Sequence, residues 1–469
     1  MKILMVSWEY PPVVVGGLGR HVHHLAVELA EAGHEVVVLA RRPSGTDSSS
    51  HPTHSYIAEG VLVVAVAEDP PHFDFGEDML AWTLAMGHAM VRAGVALRKP
   101  GIGEGWAPDV VHAHDWLVAH PAIALAEFYD VPLVSTLHAT EAGRHSGWVS
   151  GRINRQVHSV EWWLANESDA LITCSASMTD EVTRLYGDLA PITVIRNGID
   201  VSTWHFRRRQ PRSGPAKLLY VGRLEYEKGI QDAIAALPRI RRSHPGTTLA
   251  IAGEGTQYDW LRELARTHRV ARSVEFLGKL DHTELLSWLH AADAIVLPSR
   301  YEPFGIIALE AAAAGTPVVA STAGGLGEAV VDGETGLSFQ PADVAGLTSA
   351  VRETLDDPAA AQHRAERLLV GATARRHQDV IGEARVLGLC MEVSPDAVEA
   401  AARIAHDAGT CVVFNNSPFH PVLSAGLLEA IDVLVVNETE CGLVLGAPAP
   451  ETAEEAVDCV LRVCGPGAP

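Results

Sequence analysis

The chain reads as α/β, two doubly wound parallel sheets in succession, and three observations carry that reading. Short apolar runs recur at residues 2–7, 35–40, 61–67, 110–115, 132–138, 170–175 and 192–197, with helical patterns between them. A second series follows at 217–223, 248–255, 274–280, 294–298 and 317–321. Between the two lies a polar stretch with Arg, Pro and Ser, residues 201–216, which reads as an interdomain link. Strands alternating with helices predict sheets covered on both faces, with ligands gathering at the carboxyl ends of the strands.

The second series holds the most informative stretch, RYEPFGIIALEAAAAG at 300–315. It follows the apolar run AIVLP and turns helical after Pro303, so the unit is strand, loop, helix. Pro303 discourages helix at Glu302, which therefore falls in the loop, whereas Glu310 lies two turns into the helix. The first N–H groups of that helix, at Phe304, Gly305, Ile306 and Ile307, have no intrahelical acceptor and suit an anion such as phosphate. Earlier in the same series, Gly222-Arg223 and Lys228-Gly229 place two cations after the strand at 217–223 and before a helix near Ile230. Fixed cations are what a diphosphate leaving group needs when charge develops on it; an ordinary basic surface loop would look the same in isolation.

The first series opens with KILMVS, then WEYPP and Gly16-Gly17 ahead of a helical run at 18–33. Two glycines at a strand-to-helix turn let the backbone approach a ligand, or simply make a flexible turn. In DVVHAHDW, His112 and His114 alternate at strand spacing and share a face, with Asp115 next in line. Two histidines without a third ligand in register do not make a metal site, so none is assigned. The strand at 132–138 ends on His138, and the polar, Gly-punctuated ATEAGRHSGW that follows, with Arg144, is long enough to reach over a cleft.

Composition narrows the function. The net charge of −22 argues against a nucleic-acid partner, and the one dense basic run, Arg207-Arg208-Arg209 with Arg212, lies in the link. No apolar run approaches the roughly 20 residues of a membrane span, and Glu9 with Pro11-Pro12 is unlike a signal peptide, so a cytoplasmic protein is expected. Six cysteines without a Cys-x-x-Cys pair suggest reduced thiols.

The Glu302 to Glu310 spacing matches the E-x7-E signature of retaining glycosyltransferases, and with EPFG and ALEAAAAGTPVV the chain resembles the family-4 glycosyltransferases. The WEYPP, VHAHDW and LHATEAGRHSGW segments resemble actinobacterial glycogen-synthase-like enzymes that extend α-1,4-glucans. The resemblance runs from Lys2 to about Arg367 and implies the GT-B architecture, two Rossmann-like domains facing a cleft: an acceptor-side domain at 1–200 and a nucleotide-sugar domain at 217–375. It implies Arg223 and Lys228 on the diphosphate, Glu302 and His138 at the donor sugar, and Glu310 on the ribose. It also implies Gly16 and Gly17 over the donor, the turns at Gly253 and Leu280 along the nucleotide, and His114 and Asp115 near the acceptor, with Arg144 reaching the same cleft. The expected substrates are UDP-glucose or ADP-glucose and a carbohydrate acceptor, with no cofactor and no metal required; the oligomeric state stays open.

Residues 383–469 differ. All ten tryptophans lie at or before Trp288, while five of the six cysteines follow residue 380. This segment resembles part of a ribokinase-type sugar kinase, down to Asn437-x-x-Glu440, but lacks that family's catalytic Gly-Ala-Gly-Asp loop, so kinase activity is not expected. The aromatic-bearing helix that normally crosses back onto the first domain is also not found after Arg367. Two other readings therefore remain: a chimera that only binds nucleotide or glucan, and a sugar-nucleotide epimerase on the same double architecture. The E-x7-E, EPFG and GR-x4-KG set speaks against the second.

Overall fold

The computed structural model describes residues 1–14, 16–42, 51–67, 73, 75, 77–99, 105–187, 189–208, 214–376, 378–391, 395–417, 419–420, 423–436, 439–440, 443 and 452, without the side chains of 370–379. The first sheet contains β1 (Lys2–Ser7), β2 (Glu35–Arg41), β3 (His54–Ala58), β4 (Val61–Val66), β5 (Val110–His114), β6 (Leu133–Leu137), β7 (Ala170–Thr173) and β8 (Ile192–Val194). Their order is β3-β4-β2-β1-β5-β6-β7-β8. Every pairing is parallel except β3 with β4. The second sheet is wholly parallel, with β9 (Lys217–Val221), β10 (Thr248–Ala252), β11 (Val274–Gly278), β12 (Ala294–Leu297), β13 (Val318–Ser321) and β14 (Leu337–Phe339) in the order β11-β10-β9-β12-β13-β14.

Central strands are apolar on both faces because helices cover both; β12 and β13 are buried along their whole length. Strand order reverses beside β1 in the first sheet and beside β9 in the second. These are the places where an open sheet leaves a crevice at its carboxyl edge. Two strands fall outside the sequence expectation, β3 and β14, and both are edges. β3, with the sequence HSYIA, is largely exposed, and β14 has only three residues, so neither carries the apolar run of a central strand.

The halves share apolar packing. One cluster runs from Leu4 and Val6 through Leu171 and Met178 to Phe304, Leu326 and Leu368. Ser175 Oγ donates to the Pro303 carbonyl at 2.8 Å, and Glu328 accepts from the Ser177 N–H at 2.7 Å and from Arg196 at 3.3 Å. The chain continues past Arg367 in the helix Pro358–Arg376, which buries Ala361, Ala365 and Leu368; Glu366 in this helix pairs with Arg208 of the link at 3.0 Å.

Beyond it lies a separate parallel sheet, β15 (Val386–Cys390), β16 (Cys411–Asn415) and β17 (Val433–Val435), in that order. Val412, Phe414 and Leu434 pack with Val398, Ala402 and Leu427 from the helices Pro395–Asp407 and Ala425–Ala430. The alternate residues Val386, Val433 and Val435 stay exposed, so among the described residues one face of this sheet is apolar and open. Asn437 lies outside the described residues; Glu440 is buried.

Candidate functional site

The carboxyl end of β12 leads through Ser299–Pro303 into the helix Ile306–Ala313, and the sequence dictates the geometry of the join. Gly305 precedes the helix with φ +88°, a left-handed conformation that glycine adopts at little cost, and as the N-cap residue it brings no side chain to cap the helix. Glu302 projects from the loop, and its Oε2 accepts from Lys228 Nζ at 2.8 Å, both side chains being mostly enclosed. Lys228 ends the one-turn helix Tyr226–Lys228. The next residue, Gly229, has φ +69°, and a Cβ there would collide with the Pro298 carbonyl. Glycine is therefore what lets the β9 loop lie against the end of β12 and bring Lys228 to Glu302.

Arg223 sits on the same loop, half-exposed, with Nη2 at 3.2 Å from Glu227. Gly253 donates its N–H to the Gly278 carbonyl at 2.7 Å, and a Cβ there would strike the Gly222 carbonyl, so this glycine packs the turns after β9, β10 and β11 together. Leu280 follows β11 at the edge of the sheet, half-buried against the large apolar cluster.

The opposite wall comes from the first half. Gly16 donates its N–H to Glu9 Oε2 at 3.0 Å, and Gly17 begins the helix Gly17–Glu31 facing Ile306, whose Cδ1 a Cβ on Gly17 would meet at 3.6 Å. Arg20 of that helix reaches Glu310, Nη1 to Oε1, at 2.5 Å. Glu310 is buried, its Oε2 has no partner among the described residues, and burial raises its pKa while Arg20 opposes the shift. The loop of Phe304, Gly305, Ile306 and Ile307, the Gly16-Gly17 turn, Lys228, Glu302 and Glu310 are thus brought to one cleft.

Beside them lie the imidazoles. His114 Nδ1 and His138 Nε2 are 3.1 Å apart, and the His138 N–H donates to Asp115 Oδ1 at 2.7 Å. Asp115 is buried with φ +64°, and burial pushes its carboxyl up to about 6 against the pull of Arg144 and the N–H groups of His138 and Ala139. His112, on the same strand, bonds Thr136 Oγ1 at 2.8 Å. A further ring, His21 of the helix Gly17–Glu31, has its centroid 4.8 Å from that of His138. Burial holds His21 and His138 down at about 3 and His114 well below the ordinary value, so all three rings are neutral at pH 7. This corrects the expectation that the strand histidines lack a third companion: the third ring arrives from a helix far away in sequence, a placement no register along the strand could reveal.

Tyr301 also escaped the sequence reading. Its hydroxyl donates to Glu181 at 2.9 Å and accepts from the Thr140 N–H at 3.1 Å, tying the Glu302 loop to the segment that carries Arg144. Under that segment is a buried carboxyl, Glu161, which accepts from the Glu141 N–H and from Tyr186 Oη, each at 2.8 Å. Burial raises it to about 8 from 4.5. The folded state therefore keeps a proton that the unfolded chain releases above about pH 4.5, and stability falls as pH rises toward 8, then levels off. Glu161→Gln should remove this decline. Denaturant melts from pH 5 to 8 should show the variant gaining on the parent by up to about 1.4 kcal/mol per pH unit. Parallel stability curves would show that Glu161 is ionised in the fold.

The sequence matches Glycosyltransferase Family 4 over residues 15–203 and Glycosyl transferases group 1 over residues 202–368, leaving 369–469 outside both. It is 72% identical over 366 residues to a glycogen synthase of Mycobacterium tuberculosis, covering 78% of this chain and 88% of that protein. It is also 32% identical over 359 residues to a D-inositol 3-phosphate glycosyltransferase of Pseudarthrobacter chlorophenolicus, covering 73% of this chain and 83% of the relative. Among solved structures it superposes on a sucrose-phosphate synthase from Thermosynechococcus elongatus with TM-score 0.67 at 25% identity, covering 80% of this chain and 94% of that one. The catalytic domain of starch synthase IV from Arabidopsis thaliana, bound to ADP and acarbose, gives 0.60 at 18% identity over 81% of this chain and 98% of that one, a likeness of fold. The two facing parallel sheets, the family matches and the 72% identity agree: the chain belongs to the glycogen-synthase-like glycosyltransferases of GT-B architecture.

Proposed function

We propose that the protein moves glucose from UDP-glucose or ADP-glucose to an α-1,4-glucan, of the glycogen or methylglucose-polysaccharide type, with retention of anomeric configuration. The observation that carries this reading is the convergence of Lys228, Glu302, Glu310 and the start of the helix Ile306–Ala313 beneath the Gly16-Gly17 turn. The name of the 72%-identical relative favours a glucan acceptor, and the ADP and acarbose held by the starch synthase suit the same pairing of nucleotide and glucan.

In this mechanism the diphosphate lies against Lys228, Arg223 and the N–H groups of residues 304–307, which meet the negative charge that grows as the glycosidic bond breaks. Glu302 stabilises the positive character of the sugar, and Glu310 accepts from the ribose hydroxyls. His138, neutral because it is buried, offers the sugar a hydrogen bond without competing charge. The acceptor hydroxyl attacks from the side the diphosphate leaves, passing its proton to a departing phosphate oxygen, so no protein nucleophile is needed. Asp115, His114 and Arg144 border the acceptor's approach.

The test is nucleotide release from UDP-glucose and from ADP-glucose by the full chain, with and without a short maltooligosaccharide. Release that depends on the acceptor is expected, and its donor preference names the nucleotide. Conversion of the donor sugar with no acceptor would favour an epimerase. Protection of the fold by UDP or ADP with no turnover would leave a nucleotide-binding chimera.

A further inference from the structure

We propose that Tyr301 is a positioning residue for the transfer: its hydroxyl, gripped by the first half of the chain, sets where Glu302 stands relative to His138. This rests on the functional reading above, which puts both side chains at the donor sugar. The two belong to different sheets, His138 directly after β6 and Glu302 in the loop after β12. Neither sheet can fix the span between them, so a contact across the halves has to.

Tyr301 makes that contact one residue before Glu302. Its hydroxyl donates to Glu181 Oε1 at 2.9 Å and accepts from the N–H of Thr140, two residues past His138, at 3.1 Å. Thr140 Oγ1 donates to the same Glu181 oxygen, so the three residues close a ring of hydrogen bonds. Thr140 is itself fixed as the N-cap of the helix Glu141–Arg144, accepting from the Gly143 N–H at 2.9 Å. A Cβ at Gly143 would collide with the Tyr301 ring, so the glycine leaves room for the ring to enter. Burial, with Glu181 beside it, holds the hydroxyl pKa well above its ordinary value, and the group stays a donor.

The residue on the other side of Glu302 is held by the same element. The Pro303 carbonyl accepts from Ser175 Oγ at 2.8 Å, and Ser175 is the N-cap of the 11-residue helix Ala176–Tyr186 that carries Glu181. Buried Met178 of this helix brings its Sδ to 3.8 Å from the Tyr301 hydroxyl. One helix of the first half thus grips both neighbours of Glu302. Within the second half, the N–H groups of Arg300 and Tyr301 donate to the Glu227 carbonyl at 2.7 and 3.2 Å, which ties the same loop to the residue before Lys228. A reacting group held by regular structure on both flanks is pre-organised, and small displacements from such a place are costly in rate.

Tyr301→Phe keeps the ring and removes the grip. We expect kcat to fall about 10–100-fold, with the melting temperature and the affinities for UDP and ADP unchanged. Because Tyr301 acts through Glu302, adding Tyr301→Phe to Glu302→Gln should cost little further turnover. Calorimetry with UDP-glucose and ADP-glucose against UDP and ADP separates this proposal from the functional reading. In Tyr301→Phe the ratio of nucleotide-sugar to nucleotide affinity should fall about tenfold, as expected for one misplaced hydrogen bond to a charged group. If the ratio falls while the parent chain shows no acceptor-dependent turnover, the functional reading fails and the positioning role stands. A folded Tyr301→Phe with parental kcat and ratio, an equal loss of bare-nucleotide affinity, or the full loss repeated in Glu302→Gln would overturn the proposal. A parent chain that binds neither nucleotide nor nucleotide sugar would overturn both.

Discussion

Lys228→Ala should lower kcat by about 10²–10³-fold while changing KM for the nucleotide sugar only a few-fold. The ammonium stands 2.8 Å from Glu302 in an enclosed part of the cleft, so it already has one counter-charge before any donor arrives. What it adds on donor binding is therefore partly offset by what it gives up. As the glycosidic bond breaks, negative charge accumulates on the diphosphate, and the fixed cation then interacts more strongly than in the ground state. Removing it also leaves the Glu302 carboxylate facing the leaving group without neutralisation. Steady-state kinetics with a saturating acceptor separate the two parameters; a rise in KM with kcat intact would assign Lys228 to ground-state binding alone.

Glu310→Ala should do the converse, raising KM for the donor by about 10–100-fold, as expected for losing one to two hydrogen bonds to a charged acceptor, with kcat within a few-fold. The ribose stays bonded throughout the reaction, so the interaction contributes equally to ground and transition states. The Arg20 contact sharpens the expectation. Glu310 Oε1 is occupied by Arg20 while Oε2 is buried and, among the described residues, unpartnered, so a ribose hydroxyl would supply a partner to Oε2 and share or displace Arg20 at Oε1. Donor binding measured directly by calorimetry should track KM. A fall in kcat matching that of Lys228→Ala would contradict this division of labour.

How far the sequence discloses these features depends on whether they are local. The strand-loop-helix unit around Glu302 is legible because AIVL is a buried parallel strand, Pro303 sets the break, and Gly305 marks the turn. The cation pair Arg223 and Lys228 is legible for the same reason, since Gly229 must follow Lys228 wherever that loop meets β12. Edge strands β3 and β14 are not, because an edge needs no apolar run. Arg20 with Glu310 is not legible either: the partners are 290 residues apart, and Arg20 taken alone is an ordinary polar residue on the face of an amphipathic helix. His21 is masked in another way, lying in a run with His23 and His24 where helical periodicity marks none of the three as inward-facing. Tyr301 looks like a neighbour of the motif and proves to be a strut between the halves.

The apolar cluster that runs from Leu4 to Leu368 includes side chains of both sheet systems, Met178 and Phe304 among them. Each sheet is complete in its own hydrogen bonding, which suggests two modules that could be exchanged between proteins. Their interiors are not partitioned that way. Severing the chain within 201–216 would bare side chains that each half now buries against the other, so neither half inherits a finished interior. For recombination, by nature or in the laboratory, the heritable unit is the facing pair of domains; the sheet after the helix Pro358–Arg376 has an apolar cluster of its own but is tied back to that helix through Asp396, which His363 and Arg367 approach at 4.0 and 3.8 Å.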